Sequence, residues 1–252
     1  MQLPTTIDGV LAELDHIIDV SVVENSSMAI FAYVYRRTTA EIKKNVLAGV
    51  FEDNERMVKF DVRFANYYIE AWHNYRNNKP ISASWKVAFE ASKDPLCIVQ
   101  YIMLGMNAHI NLDLGVTAAT EAEHTSLVDL KTDFMRVNTI LFSLTHEMQS
   151  NLGKASRLFF LVSWLGRRND ELLINFSIKK ARDFSWVTAN RIWNAHGSHE
   201  KESVRLTTDK AVGFIGGELR RPKGWMLRNT VRLVRRFEEK DVAKIIDILK
   251  NG

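Results

Sequence analysis

The chain has 252 residues and a net charge of +4, and its content of 46% hydrophobic and 25% charged residues is close to the globular average. Its 12 Gly and 4 Pro are too few for the turns of an all-β sandwich. The single cysteine, Cys97, excludes an internal disulfide and predicts a reducing, cytoplasmic location. No secretory signal is expected at the N-terminus, and the longest apolar segments fall far short of the roughly 20 residues that cross a bilayer.

Apolar residues three to four positions apart recur along the chain and predict about nine α-helices. Thr38 with Glu41 forms a capping-box pattern, and Ser126 precedes another periodic stretch. Residues 197–208 are expected to form a loop that contains a short extended piece. The expected helices cover residues 6–20, 27–36, 39–51, 54–77, 82–92, 95–122, 126–150, 155–195 with a break near Gly166, and 208–249 with breaks near Gly216 and Glu238.

No linker, low-complexity tract or long repeat interrupts this pattern. We therefore expect a single all-α domain over residues 1–252, with its helices packed around a central buried helix at about 95–121. A basic helical subdomain at 208–252 is the alternative to a single unit.

The central helix is apolar nearly all round, yet it carries two polar pairs. His109 and Asp113 are four residues apart and project together from one face, while Asn107 and Asn111 project from the other. Because a helix of this kind is buried, both pairs require partners inside the protein.

Two further carboxylates fall on the apolar stripes of their own helices. Asp61 lies among the apolar residues of the helix at 54–77, and Asp133 among those of the helix at 126–150. An unpaired buried carboxylate must neutralise, pair with a cation or bind a metal. Arg182, on the apolar face of a later helix, is the obvious protein cation.

Asp61, His109, Asp113 and Asp133 are therefore the candidate catalytic residues and the candidate ligands of a divalent metal, zinc, iron or manganese. Asn107, Asn111 and Arg182 are candidates for holding a cofactor. The alternative is a set of separate structural hydrogen bonds, with Asp bound to Arg182 or Arg136 and His109 bound to a backbone carbonyl.

A late helix is strongly basic. Residues 220–236 contain seven basic side chains and no acid. A phosphate backbone, an anionic lipid surface or an acidic partner fits such a face, and a simple solvated face is the alternative. The face is formed by Arg228, Arg232, Arg235 and Arg236.

The common nucleotide-binding, hydrolase and redox motifs do not occur, so those classes of site are disfavoured. Instead, the string from Gly105 to Gly115 (GMNAHINLDLG), with Phe64-Ala-Asn-Tyr and Trp85-x-x-x-Phe89 before it and Asp133-Phe after it, resembles a bacterial family of unknown function. The resemblance implies a shared helical architecture and draws attention to Asn107, His109 and Asp113, but it implies no reaction.

Two functions remain open from the sequence. The first is a metal-assisted hydrolase, or another enzyme that handles a small molecule, with a buried His/Asp pocket. The second is a non-catalytic binding or scaffold protein, in which buried ion pairs are structural and the basic helix is a docking surface.

Overall fold

The computed structural model describes residues 2–123, 126–156, 158 and 178–251, and the described chain is all-α, as predicted. It has eleven α-helices where the sequence predicted about nine, together with a 3₁₀ turn at Ala91–Lys93 and a π-helical segment at His109–Asp113. The helices are α1 (Ile7–Val23), α2 (Met28–Leu47), α3 (Asn54–Arg76), α4 (Ala83–Glu90), α5 (Ile98–Ala108), α6 (Leu114–Ala122), α7 (Leu127–Ala155), α8 (Ile178–Trp193), α9 (Gly197–Arg220), α10 (Trp225–Phe237) and α11 (Val242–Asn251).

Polar side chains cap the starts of several helices. Thr6 accepts a hydrogen bond from the Gly9 N–H, and Asp53 accepts one from the Arg56 N–H. Ser126 does the same at the start of α7, as its position in the sequence predicted. Each cap satisfies an N–H that has no partner within its own helix, and a side-chain cap contributes about 1 kcal/mol.

Two predicted interruptions are wrong. Residues 28–47 form one helix, since the Thr38 hydroxyl donates to the Val34 carbonyl of the preceding turn instead of capping a new helix. Residues 197–208 are the start of α9, not a loop or an extended piece. The Glu200 carboxylate accepts the His196 N–H at 2.6 Å and stabilises this start.

The C-terminal boundaries also differ from the prediction. Gly216 does not break α9, which continues to Arg220; its lack of a side chain instead allows close packing, because a Cβ there would lie 3.2 Å from Val87 Cγ1. The chain leaves the helix at 221–224, before α10. The break predicted near Gly166 lies outside the described residues, and the proposed subdomain at 208–252 stays a prediction.

The central element predicted at 95–122 exists, but it begins at Ile98 and consists of α5, the π-helical segment and α6. It contacts α2, α3, α4, α8 and α9 and is therefore surrounded by other helices. Two glycines allow this packing. A Cβ on Gly105 would lie 2.2 Å from the Phe31 ring, and one on Gly115 would lie 2.8 Å from the Ser185 carbonyl oxygen.

Among the helices that the structure describes, none is long and apolar enough to cross a membrane.

Candidate functional site

The π-helical segment presents a histidine and a carboxylate to the interior. His109 Nδ1 lies 3.0 Å from Asp113 Oδ2, and the two residues are 2% and 3% exposed. The one-residue widening of a π turn is found mostly as a local insertion in α-helices and frequently at functional sites. The sequence predicted that these two side chains would lie together, and the structure brings them together.

Trp85 completes the contacts of this carboxylate. Its indole N–H donates to the same Asp113 Oδ2 at 2.8 Å. When Asp113 is ionised, this oxygen accepts both N–H groups, so His109 donates its Nδ1–H and keeps Nε2 as a bare acceptor.

Asp209 fixes the helix that carries Trp85. Its two carboxylate oxygens accept the backbone N–H groups of Ala83 and Ser84, at 2.7 and 2.9 Å, at the start of α4. A carboxylate at this place satisfies two orphan donors and interacts favourably with the helix dipole. Asp209 therefore positions Trp85, and through it Asp113.

Aromatic rings enclose the imidazole. Phe64 stacks on His109 with ring centroids 3.7 Å apart and an interplanar angle of 6°. Tyr35 meets His109 edge to face at 4.3 Å, and Tyr68 lies 6.2 Å away. Phe31 approaches from α2 at 6.1 Å. The imidazole therefore lies in a dry, low-dielectric environment, where electrostatic interactions are stronger than in water.

Several buried polar atoms in this region have no hydrogen-bond partner among the described residues. They are His109 Nε2, Asp61 Oδ2 and the hydroxyl oxygen of Tyr68. Asp61 belongs to this region because its charge acts on Tyr35. Unsatisfied buried groups are rare in native proteins, and a catalytic role or a bound ligand is a recognised reason for them.

The protonation equilibria follow from burial. Burial lowers the pKa of His109 well below its usual value, so the imidazole is neutral near pH 7. Burial also raises the pKa of Asp113 well above its usual range, with the Asp209 charge adding to the shift and the Trp85 N–H opposing it. Burial alone raises the pKa of Asp61 to about 7. A carboxyl group with this pKa can give or take a proton at neutral pH.

A small cleft reaches the aromatic rings from the surface. Its volume is about 20 Å³, which is enough for one water molecule. It lies between the starts of α2 and α5 and the end of α4. Tyr68, Trp85 and Phe31 form its inner wall and separate it from His109.

Asp133, predicted to join His109 and Asp113, is held elsewhere. It is buried, but its carboxylate accepts the N–H groups of Glu52 and Asp53, at 2.8 and 3.1 Å, and pairs with the Arg56 guanidinium at 2.8 Å. These donors lie at the start of α3. The sequence analysis predicted the burial of Asp133 but missed Arg56, because a helical wheel gives the direction of a side chain and not its neighbour.

Arg182 is not the partner of the buried carboxylates. Its guanidinium donates to the Phe134 carbonyl and lies 4.4 Å from the centre of the Phe134 ring. Burial lowers the pKa of Arg182 to about 9. Arg136, the other cation considered, donates to the Val50 carbonyl. Both predicted pairings with Asp are therefore wrong.

Asn107 and Asn111 form the second polar pair of the central element. The Asn111 side chain donates to Asn107 Oδ1, and Asn107 donates to the Val212 carbonyl of α9, each at 2.9 Å. These bonds connect the central element to α9. Their proposed role in holding a cofactor stays a prediction.

No group of three or more His, Cys, Asp or Glu side chains lies together in the described ranges in a way that would hold a metal ion. The divalent metal predicted from the sequence therefore stays a prediction, without Asp133 among the groups near His109.

The residues that surround the imidazole were not predicted as a group. Trp85 and Phe64 belong to strings singled out in the sequence, but no role was predicted for Tyr35 or Tyr68. Only the packing of α2 and α3 against the π-helical segment shows what they contact.

Comparison with known proteins gives a family. The model of a family described as a "Family of unknown function (DUF5995)" matches residues 7–222. The chain belongs to this family. The match includes every site residue described above and ends before α10 begins. No curated protein and no solved structure matches the chain.

Proposed function

We propose that the protein is a hydrolase that acts on a small, neutral, apolar carboxylic ester, with His109 as the general base and Asp113 as the group that orients it. The observation that carries this proposal is a fully buried imidazole whose Nδ1 is held by a carboxylate and whose Nε2 has no partner among the residues that the structure describes. This arrangement of histidine and carboxylate is the one that general-base catalysis requires.

In the proposed reaction, a water molecule beside Nε2 gives its proton to the imidazole as its oxygen attacks the ester carbonyl. The His109 imidazolium is stabilised through Nδ1–H by Asp113, and it returns a proton to the leaving alcohol. The Tyr35 and Tyr68 hydroxyls are the candidate donors to the oxyanion that forms on the carbonyl oxygen. Asp61 is a second group that can exchange a proton near pH 7.

The surroundings of His109 favour the neutral, apolar substrate. Its ring contacts are aromatic, and no Lys or Arg side chain of the described chain hydrogen-bonds to His109 or Asp113, while the charge of Arg205 acts on Asp113 from a distance. A phosphate ester, or an ester that carries a free carboxylate group, would need a cation at the reaction centre. The cleft holds about one water molecule and aromatic rings separate it from His109, so the proposal requires these rings to move when an ester binds.

The divalent metal and the cytoplasmic location predicted from the sequence are also part of this proposal. A zinc, iron or manganese ion bound at His109 Nε2 would supply an activated water, and the carboxylate behind Nδ1 is the usual arrangement behind a metal-bound histidine. A cytoplasmic location agrees with the single, fully buried thiol of Cys97.

The test is hydrolysis of the p-nitrophenyl esters of acetate, butyrate and hexanoate by purified protein, with metal content measured on the same sample. His109→Gln and Asp113→Asn should each lower kcat/KM by about 100-fold or more, as loss of a general base does. The matched control is His73→Gln, because His73 also contacts a carboxylate, Glu13, at 2.6 Å but lies outside the site.

Equal rates for wild type and His109→Gln on all three esters would reject the hydrolase. If His109→Gln also lowered the free energy of unfolding by several kcal/mol, the His109–Asp113 pair would have the structural role that the sequence left open. The loss would arise because Asp113 stays buried without its partner. Stoichiometric metal that disappears in His109→Gln but not in His73→Gln would place the ion at Nε2.

A further inference from the structure

The helix α10 is the most amphipathic helix of the described chain, and only part of its apolar surface is buried. Leu227, Val231 and Val234 pack into the protein. Other apolar side chains of the same helix remain in solvent. Their exposed fractions are 68% for Trp225, 44% for Met226, 46% for Leu233 and 59% for Phe237.

The exposed surface of α10 has two adjacent stripes. Arg228, Arg232 and Arg236 are spaced four residues apart and form a basic stripe, in line with the exposed Trp225. Met226, Leu233 and Phe237 form an apolar stripe beside it. Arg235 turns aside and donates to the Glu239 carbonyl at 3.1 Å.

We propose that α10 docks on the surface of an anionic lipid bilayer. Helices that lie in a membrane interface combine Lys and Arg with exposed Trp, Phe and Leu, so that the cations meet the headgroups and the apolar side chains enter the acyl boundary. The charge is complementary on α10 itself: Arg220 pairs with Asp94 and Lys223 with Glu218, but Arg228, Arg232 and Arg236 are exposed and form no ion pair within the described chain.

The apolar stripe decides between a bilayer and other polyanions. A nucleic acid would use the arginines and the rings of Trp225 and Phe237, but it gains little from exposed Met226 and Leu233. A bilayer uses both stripes, because insertion of apolar surface adds to the attraction of the charges. This inference does not depend on the proposed hydrolase activity.

The test is co-sedimentation of the full chain with large vesicles of phosphatidylcholine, with and without about 30% phosphatidylserine. Binding should require phosphatidylserine and weaken strongly between about 0.1 M and about 0.5 M salt. Arg228→Glu/Arg232→Glu/Arg236→Glu should lower the partition coefficient by on the order of 100-fold. Leu233→Ser/Phe237→Ser should lower it by about tenfold or more, with the charge unchanged.

The matched control is Lys44→Glu/Lys131→Glu/Lys180→Glu. It changes the net charge by the same amount at exposed positions on α2, α7 and α8, and it should bind as wild type does. Equal losses in the two triple variants would mean that only net charge matters and would overturn the proposal. Vesicle binding that is unchanged in Leu233→Ser/Phe237→Ser would also overturn the proposal. It would indicate that α10 binds by charge alone, as a nucleic-acid-binding surface does. Absence of vesicle binding by wild type would also overturn it.

Discussion

Gly115→Ala tests whether the central element is as tightly packed as the structure indicates. A Cβ at this position would lie 2.8 Å from the Ser185 carbonyl oxygen and 3.0 Å from two carbons of the Thr188 side chain. The Ser185 oxygen is a backbone atom of α8, so the clash with the new Cβ can be relieved only if α6 and α8 move apart. Overpacking of this kind costs about 1–3 kcal/mol, more than the helix propensity that alanine gains over glycine. The expected fall in Tm is roughly 2–12 °C for a protein of this size.

Thermal and urea unfolding followed by circular dichroism measure this effect. Gly217→Ala is the matched control, because Gly217 lies in α9 and a Cβ there would meet nothing within 4 Å. Alanine at this exposed helical position should raise the stability by about 0.5–1 kcal/mol. The close packing of α6 against α8 would be contradicted by a Gly115→Ala variant that is as stable as wild type. It would also be contradicted if Gly115→Ala and Gly217→Ala changed the stability in the same direction.

Three further predictions concern buried ionisable groups. The pKa of Asp61 is about 7 in the folded protein against 3.8 as its ordinary value, so folding favours the protonated acid and stability should fall as pH rises from about 4 to 7. Asp61→Asn should flatten this slope and exceed wild type in stability at pH 8 by up to about 4 kcal/mol, measured by urea unfolding at pH 5 and 8. Asp133→Ala leaves Arg56 without its partner and should lower the free energy of unfolding by about 3–5 kcal/mol; a loss under 1 kcal/mol would contradict the ion pair. Burial raises the pKa of Cys97 to about 12, so its thiol should resist iodoacetamide at pH 8 until the protein unfolds, and rapid labelling of folded protein would contradict that burial.

Helical periodicity predicted the parts of the fold that depend on direction within one helix. The apolar character of the stretch around His109 predicted a central element, and the four-residue spacing predicted that His109 and Asp113 would lie together. It could not predict the π-helical segment, because a one-residue widening leaves no composition signal. It also failed at 197–208, where Gly, Ser and His are typical of a loop but Glu200 caps a helix.

Contacts between helices were the second feature that the sequence pattern could not predict. A wheel shows that Asp133 points inward, but its partners are two backbone N–H groups and Arg56 of another helix, brought close by the path of the chain around α3. The contacts of Tyr35 and Trp85 with His109 and Asp113 were not predicted for the same reason, because they depend on the packing of several helices.

The grouping of unsatisfied ionisable side chains around His109 supports a functional role for this region. Unsatisfied buried atoms also occur elsewhere in the described chain, such as Arg56 Nε, while Asp133 and Asp209 cap backbone N–H groups and Asn107 holds α9. Asp61 Oδ2 and His109 Nε2 have none among the described residues. Leaving a buried polar group unsatisfied costs about 1–3 kcal/mol, so a purely structural role would favour an apolar side chain there. Retaining these groups is consistent with a molecule, water or substrate, that binds to them during function.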